Sequence, residues 1–255
     1  MSEAPEKLAE GTLISHLLEL RARLIRALAA VGLFFIPCAY YSNQIFTFIA
    51  KPLLDKLPKG GTLIATGVMT PFTTPFKLSF FVALFIAMPY VLYQVWAFVG
   101  PGLYRREKRF AVPLMVSSVV LFYAGVIFAY VVVFPMIFAF FTSTTPQGVS
   151  MMTDITSYMD FALTMFLAFG IAFEVPVAVV LLVLTGIVKL EMLKANRGYV
   201  LIAIFIIAAI LTPPDALSQC VMAVPMYMLY EGGVLMAQIM QRMQRTAAER
   251  DAAKV

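Results

Sequence analysis

The chain has 255 residues, 62% hydrophobic and 13% charged, against roughly 25% charged in a soluble globular domain, so composition alone excludes a soluble fold. Nineteen Lys and Arg against 14 Asp and Glu leave a net charge of +5, and in a chain with long apolar runs such an excess reports membrane orientation and names no nucleic acid. His16 is the only histidine and no Gly directly precedes a Lys, which excludes two-histidine metal motifs and the phosphate loop of an ATPase; no cofactor, no metal and no enzyme activity are expected.

Residues 12–25, TLISHLLELRARLI, repeat Leu13, Leu17, Leu20 and Leu24 at helical spacing, with His16, Glu19, Arg23 and Arg26 on another face. An amphipathic helix is predicted over residues 1–23, entering a first span at 24–41. Glu19 and Arg23 stand four apart and can simply pair on that helix. Four glutamates in the polar lead argue against a cleaved signal peptide. Residues 43–75 hold Pro52, Pro58, Pro71 and Pro75 among apolar residues, which predicts a capping loop with short helices on the outer surface.

The second span is predicted at 76–99. It is broken by Phe98-Val-Gly-Pro-Gly-Leu-Tyr-Arg-Arg-Glu-Lys-Arg109, a loop in which Glu107 sits among four cations. A third span follows at 111–134, an outer loop at 142–160 and a fourth span at 161–188. Glu174 lies near the middle of that last run, where a carboxylate costs about 2.5–3.5 kcal/mol on insertion scales and therefore faces a partner, water or a proton. Two residues on, Pro176 removes the donor for the carbonyl of residue 172 and predicts a kink beside the acid. A neutral Glu174 making one interhelical hydrogen bond is the simpler alternative.

The apolar segments 199–211 and 216–235 flank Thr212-Pro213-Pro214-Asp215. The first has only 13 residues where about 20 are needed, so the pair reads as a short hairpin whose spans cross incompletely. Asp215 suits the N-cap of the last helix, with Gln219 one turn on. Residues 236–255 form a basic tail. Six spans put both termini on one side, and 15 of the 19 basic residues fall in the segments on that side, which makes it cytoplasmic. Cys38 and Cys220 read as apolar fillers.

The segments HLLELRARL (16–24), FVGPGLYRREKR (98–109), FGIAFEVP (169–176) and TPPD (212–215), in this order on six spans, resemble the TatC family, the multispanning receptor subunit of the twin-arginine protein translocase. The resemblance implies an all-α integral membrane protein of the bacterial inner membrane: one transmembrane domain, six helices in a glove-like concave bundle with the last two spans short. It implies a core translocase subunit that binds the twin-arginine signal peptides of folded cargo and exports that cargo on the proton-motive force. Single-span subunits of the TatA and TatB type, membrane lipid and an oligomeric complex are the implied partners. Motif by motif, Glu19 and Glu107 would hold the arginine pair with Arg21 and Phe98 nearby, Glu174 would be an intramembrane polar site, and Thr212, Asp215 and Gln219 would dock partner helices. Two separated carboxylates suit two planar guanidinium forks better than two ammonium groups. Two readings compete with this one: a proton-coupled small-molecule transporter using Glu174, and a purely structural scaffold.

Overall fold

The computed structural model describes residues 4–54, 63–99, 108–144, 152–212 and 215–252. Its elements in chain order are α1 (Ala4–Tyr40), α2 (Ser42–Leu54), β1 (Leu63–Ile64), α3 (Thr70–Val99), α4 (Lys108–Phe128), a π turn (Ala129–Val133), α5 (Phe134–Thr144), β2 (Thr153–Asp154), α6 (Ile155–Ala172), α7 (Val175–Leu184), α8 (Leu190–Ala195), α9 (Arg197–Leu211) and α10 (Ala216–Ala252). Among the described residues, five stretches are long and apolar enough to cross a membrane: Ile14–Tyr40, Thr70–Phe98, Val112–Thr144, Ile155–Leu184 and Ala216–Met243. The remaining apolar helix, α9, has 15 residues, about 22 Å at 1.5 Å per residue, and falls short of the roughly 30 Å of hydrocarbon as its sequence predicts. Its partner α10 continues as helix well past the apolar segment, through the basic tail to Ala252.

The described residues divide into two compact units. One takes its residues from Met1–Phe46 and Pro75–Met115, and the other from Thr47–Thr74 and Val116–Val255. In the first, α1 packs on α3 through Val31, Cys38, Ala83 and Ala87, small side chains that let two helix backbones approach closely without a hydrophobic force from surrounding lipid. Cys38 is buried there, in keeping with a filler role. Phe35 meets the edge of Phe76 with ring centroids 4.9 Å apart.

The second unit is built on aromatics. Phe134 packs against Phe166 at 5.0 Å, and Phe138 against Tyr158 at 5.4 Å. Gly125 lies so close to the Phe169 carbonyl that a Cβ there would sit 2.4 Å from its oxygen. The predicted capping loop contains α2, and two tyrosines tie it down. Pro52 lacks the N–H that would bond the Phe48 carbonyl, and the Tyr130 hydroxyl donates to that carbonyl instead, at 3.0 Å. Tyr158 donates to the carbonyl of Ile49 at 2.8 Å.

The segments that precede α3 and α6 are also joined by a two-residue parallel pairing, Leu63 with Thr153 and Ile64 with Asp154. Asp154 serves both elements at that point. Its Oδ1 accepts from the N–H groups of Thr156 and Ser157 at the start of α6, and its Oδ2 accepts from the hydroxyl and amide of Thr66 at 2.7 and 3.2 Å. These bonds, the Thr66 hydroxyl first, hold its carboxyl down at a pKa of about 2. The fourth span ends at Thr185, where Gly186 takes φ +71° and Val188 N–H returns to the Leu182 carbonyl, a reversal that glycine makes without the steric penalty of a Cβ.

Candidate functional site

Three polar constellations interrupt this apolar framework. The first lies where the front half of α1 meets the end of α3, inside the first unit. Four-residue spacing puts Glu19 and Arg23 on one face of α1, and they pair: Arg23 Nε donates to Glu19 Oε1 at 3.0 Å and Nη2 engages the same oxygen. Arg23 also reaches Gln94 Oε1 at 3.5 Å, a buried amide near the end of the second span. Both of these bonds to Glu19 fall on Oε1, and the second carboxylate oxygen has no partner among the described residues, on a side chain 39% exposed. One turn earlier the His16 ring stacks on Phe98 with centroids 4.2 Å apart, and Arg21 is exposed nearby in sequence. A half-exposed carboxylate, oriented by one guanidinium and flanked by an aromatic face, is suited to a second guanidinium. Glu107, with Arg105 and Arg106, lies outside the described residues, so the geometry speaks only for the Glu19 half of the predicted pair. Gln94 was not singled out in the sequence; a glutamine inside an apolar run was the signal available.

The second constellation is Glu174. The irregularity that Pro176 predicts lies between α6, which ends at Ala172, and α7, which begins at Val175: Phe173 and Glu174 join them in a tightened turn that keeps right-handed helical dihedrals. Glu174 N–H bonds the Ile171 carbonyl at 3.0 Å, and Ala178 N–H bonds the Glu174 carbonyl at 2.9 Å, so backbone hydrogen bonding continues through the turn. The Ser118 hydroxyl donates to the Glu174 carboxyl, whose buried Oε1 has no partner among the described residues. A buried, unpartnered acceptor in an apolar span is expensive and is relieved by an arriving donor. Ser118 also escaped notice in the sequence.

The third is the turn between α9 and α10, of which Pro213 and Pro214 lie outside the described residues. Thr212 is buried, its hydroxyl donating to the Ala208 carbonyl at 2.8 Å. Asp215 caps α10 through Oδ1, which accepts from Ser218 N–H at 2.7 Å. Its other oxygen and the Ser218 hydroxyl are buried without partners among the described residues. Gln219 follows half-buried on the first turn. Capping uses one carboxylate oxygen and leaves a polar set for another group to satisfy.

A family model described as Sec-independent protein translocase protein (TatC) matches residues 15–225. A Sec-independent protein translocase protein TatC of Azotobacter chroococcum mcd 1 is 52% identical over 248 residues, covering 97% of each chain. Its counterpart from Haemophilus influenzae is 53% identical over 229 residues, 90% of each chain. Among solved structures, a crystal structure of the twin arginine translocase receptor TatC superposes with a TM-score of 0.79 at 34% identity, covering 88% of this chain and 98% of that one.

Proposed function

We propose, from the premise that this chain belongs to the TatC family and is a multi-pass membrane subunit of the twin-arginine, Sec-independent protein translocase, that Glu19 and Glu107 receive the arginine pair of the signal peptide on folded cargo. The observation that carries this reading is the Glu19 carboxylate, held on α1 by Arg23 through one oxygen, with no partner for the other among the described residues, about one helical turn along α1 from the His16–Phe98 stack. An incoming guanidinium needs no reorientation of that carboxylate, and its apolar flank has an aromatic ring to meet. Arg21 and the cations around Glu107 raise the cost of docking for any basic peptide that fails to reach both carboxylates.

The same reading assigns Glu174 and its unpartnered oxygen to an incoming polar group within the membrane, and Thr212, Asp215 and Gln219 to the docking of single-span subunits of the TatA and TatB type. Both termini face the cytoplasm of a bacterium, the whole chain acts as one inner-membrane domain, and the proton-motive force drives transport. The small-molecule transporter alternative gains nothing from the comparisons, in which the relatives share a protein-translocase name.

The test is direct binding of a peptide carrying two arginines before an apolar segment to the purified protein. Glu19→Ala and Glu107→Ala are each expected to weaken binding by about 1.5–3 kcal/mol, the range for charge-assisted hydrogen bonds, with losses that need not add. Glu107→Asp does less harm than Glu107→Gln. Unchanged binding by a well-folded double alanine variant overturns the assignment.

A further inference from the structure

A second polar cluster lies at the other end of the α9–α10 hairpin, outside every site described above. Lys194 on α8, Arg197 at the start of α9, and Glu231, Gly232, Val234, Leu235 and Gln238 on α10 line a pocket of about 410 Å³. Glu231 is already satisfied on both oxygens, by Arg197 Nη2 at 2.7 Å and by the Tyr227 hydroxyl at 3.0 Å. Lys194 meets the neutral amide oxygen of Gln238 at 2.9 Å, which uses one of its three donors. Two cations and one neutralised carboxylate leave the pocket with a single net positive charge and several unspent N–H donors. Gly232 forms part of its wall, and a Cβ there would meet nothing within 4 Å.

The position of the pocket identifies the source of its ligand. Gln238 stands about 33 Å along α10 from Ala216, at 1.5 Å per residue, beyond the roughly 30 Å of hydrocarbon, and Glu231 stands about 22 Å along it, the length of α9. From Arg197 an exposed stripe of Tyr199, Ile202, Ile206 and Ile210 runs down α9, and Leu235, Met236 and Ile239 are exposed on α10. Because α9 is too short for the bilayer, headgroups beside its first residue are drawn inward toward these donors.

We infer that this pocket binds the phosphodiester of an anionic phospholipid, with Lys194 and the free edge of Arg197 on the phosphate oxygens, Gln238 on a headgroup hydroxyl, and the acyl chains against the apolar side chains of α9 and α10. One net positive charge matches a phosphodiester monoanion. With its carboxylate already occupied by Arg197 and Tyr227, the pocket offers nothing to the cationic end of a zwitterionic headgroup.

The experiment titrates the full-length protein in micelles with short-chain phosphatidylglycerol, short-chain phosphatidylcholine or inorganic phosphate, and reads thermal stabilisation together with lipid retained in native mass spectra. Phosphatidylglycerol is expected to stabilise the parent at several-fold lower concentration than phosphatidylcholine, and phosphate to do nothing. Lys194→Gln lowers phosphatidylglycerol affinity about fivefold, the ratio that corresponds to about 1 kcal/mol for one basic residue at an anionic surface. Gly232→Phe adds bulk at the pocket wall from a position where a Cβ meets nothing within 4 Å, keeps every charged residue in the chain, and abolishes the preference for phosphatidylglycerol. Equal response to the two lipids, or full phosphatidylglycerol affinity in both variants, overturns the inference. Stabilisation by phosphate as strong as that by phosphatidylglycerol overturns the lipid as the source.

Discussion

Two adjacent glycines on α10 should respond in opposite ways to the same substitution. Gly233 faces α7, where a Cβ would come within 2.7 Å of the Pro176 Cα and 3.3 Å of its carbonyl oxygen, while a Cβ on Gly232 would meet nothing within 4 Å. With Ala237, fully buried one turn further on, Gly233 forms the small-residue strip that lets α10 lie against α7. Replacing either glycine with alanine removes the same backbone penalty, about 1 kcal/mol in a helix interior, so that gain cancels between the variants. What remains is overpacking at Gly233 alone, worth about 1–3 kcal/mol. The obstacle is backbone and cannot rotate away. Any relief must move Pro176 and with it the turn that presents Glu174. Gly233→Ala should therefore be less stable than Gly232→Ala by about 1–3 kcal/mol in a reversible detergent-denaturation assay, and should impair export more than its stability alone accounts for. Coincident unfolding midpoints for the two alanine variants would refute the packing argument.

Three further outcomes are expected. Glu174→Gln keeps a group that can bond Ser118 and receive a partner's donor, so it should preserve most export, whereas Glu174→Leu should bind signal peptide normally and fail at late assembly; a folded, signal-binding but inactive Glu174→Gln would show that the position must ionise. Asp154 has a folded pKa of about 2, below its ordinary 3.8, so its stabilising bonds are complete above the ordinary value and are lost as pH falls through about 2. The stability deficit of Asp154→Ala should accordingly be constant from pH 8 to pH 5 and shrink only below pH 4; a deficit that already shrinks between pH 7 and pH 5 would contradict the assigned bonds. Finally, in a variant without native cysteines, Thr62→Cys and Gln147→Cys should react with an impermeant thiol reagent from outside and Arg106→Cys and Lys194→Cys should not, as the count of 15 basic residues against four requires. Outside labelling of Arg106→Cys would reverse the orientation.

What the sequence made legible was local. Long apolar runs marked the spans because length and composition alone decide whether a helix can cross hydrocarbon, and Pro176 marked the break at Glu174 because a missing N–H acts on its own helix. Glu19 with Arg23 and Asp215 with α10 were readable for the same reason, being four and three residues from their partners. The Gln94 bond to Arg23 joins residues 71 apart, and neither the Ser118 contact with Glu174 nor the approach of Gly233 to Pro176 leaves a periodic trace. The π turn at Ala129–Val133 was equally invisible, since Ala-Tyr-Val-Val-Val has the composition of the apolar run around it. Which polar residues meet was therefore harder to read than which residues are polar.

The two-residue ladder between β1 and β2 also constrains how the chain is made. The strands run parallel, so a crossover must separate them, and it consists of α3 and of α4 through α5, two stretches each long and apolar enough to cross a membrane. Residues 63–64 and 153–154 thus belong to one face of the membrane, whichever face that is. During synthesis the first strand emerges without a mate and stays so until two further spans have been threaded. Only then does Asp154 arrive to accept from Thr66 and start α6 with the same carboxylate. Closure of this clasp records that the second and third spans have inserted in the correct sense, and a chain with either one inverted has no way to fasten it.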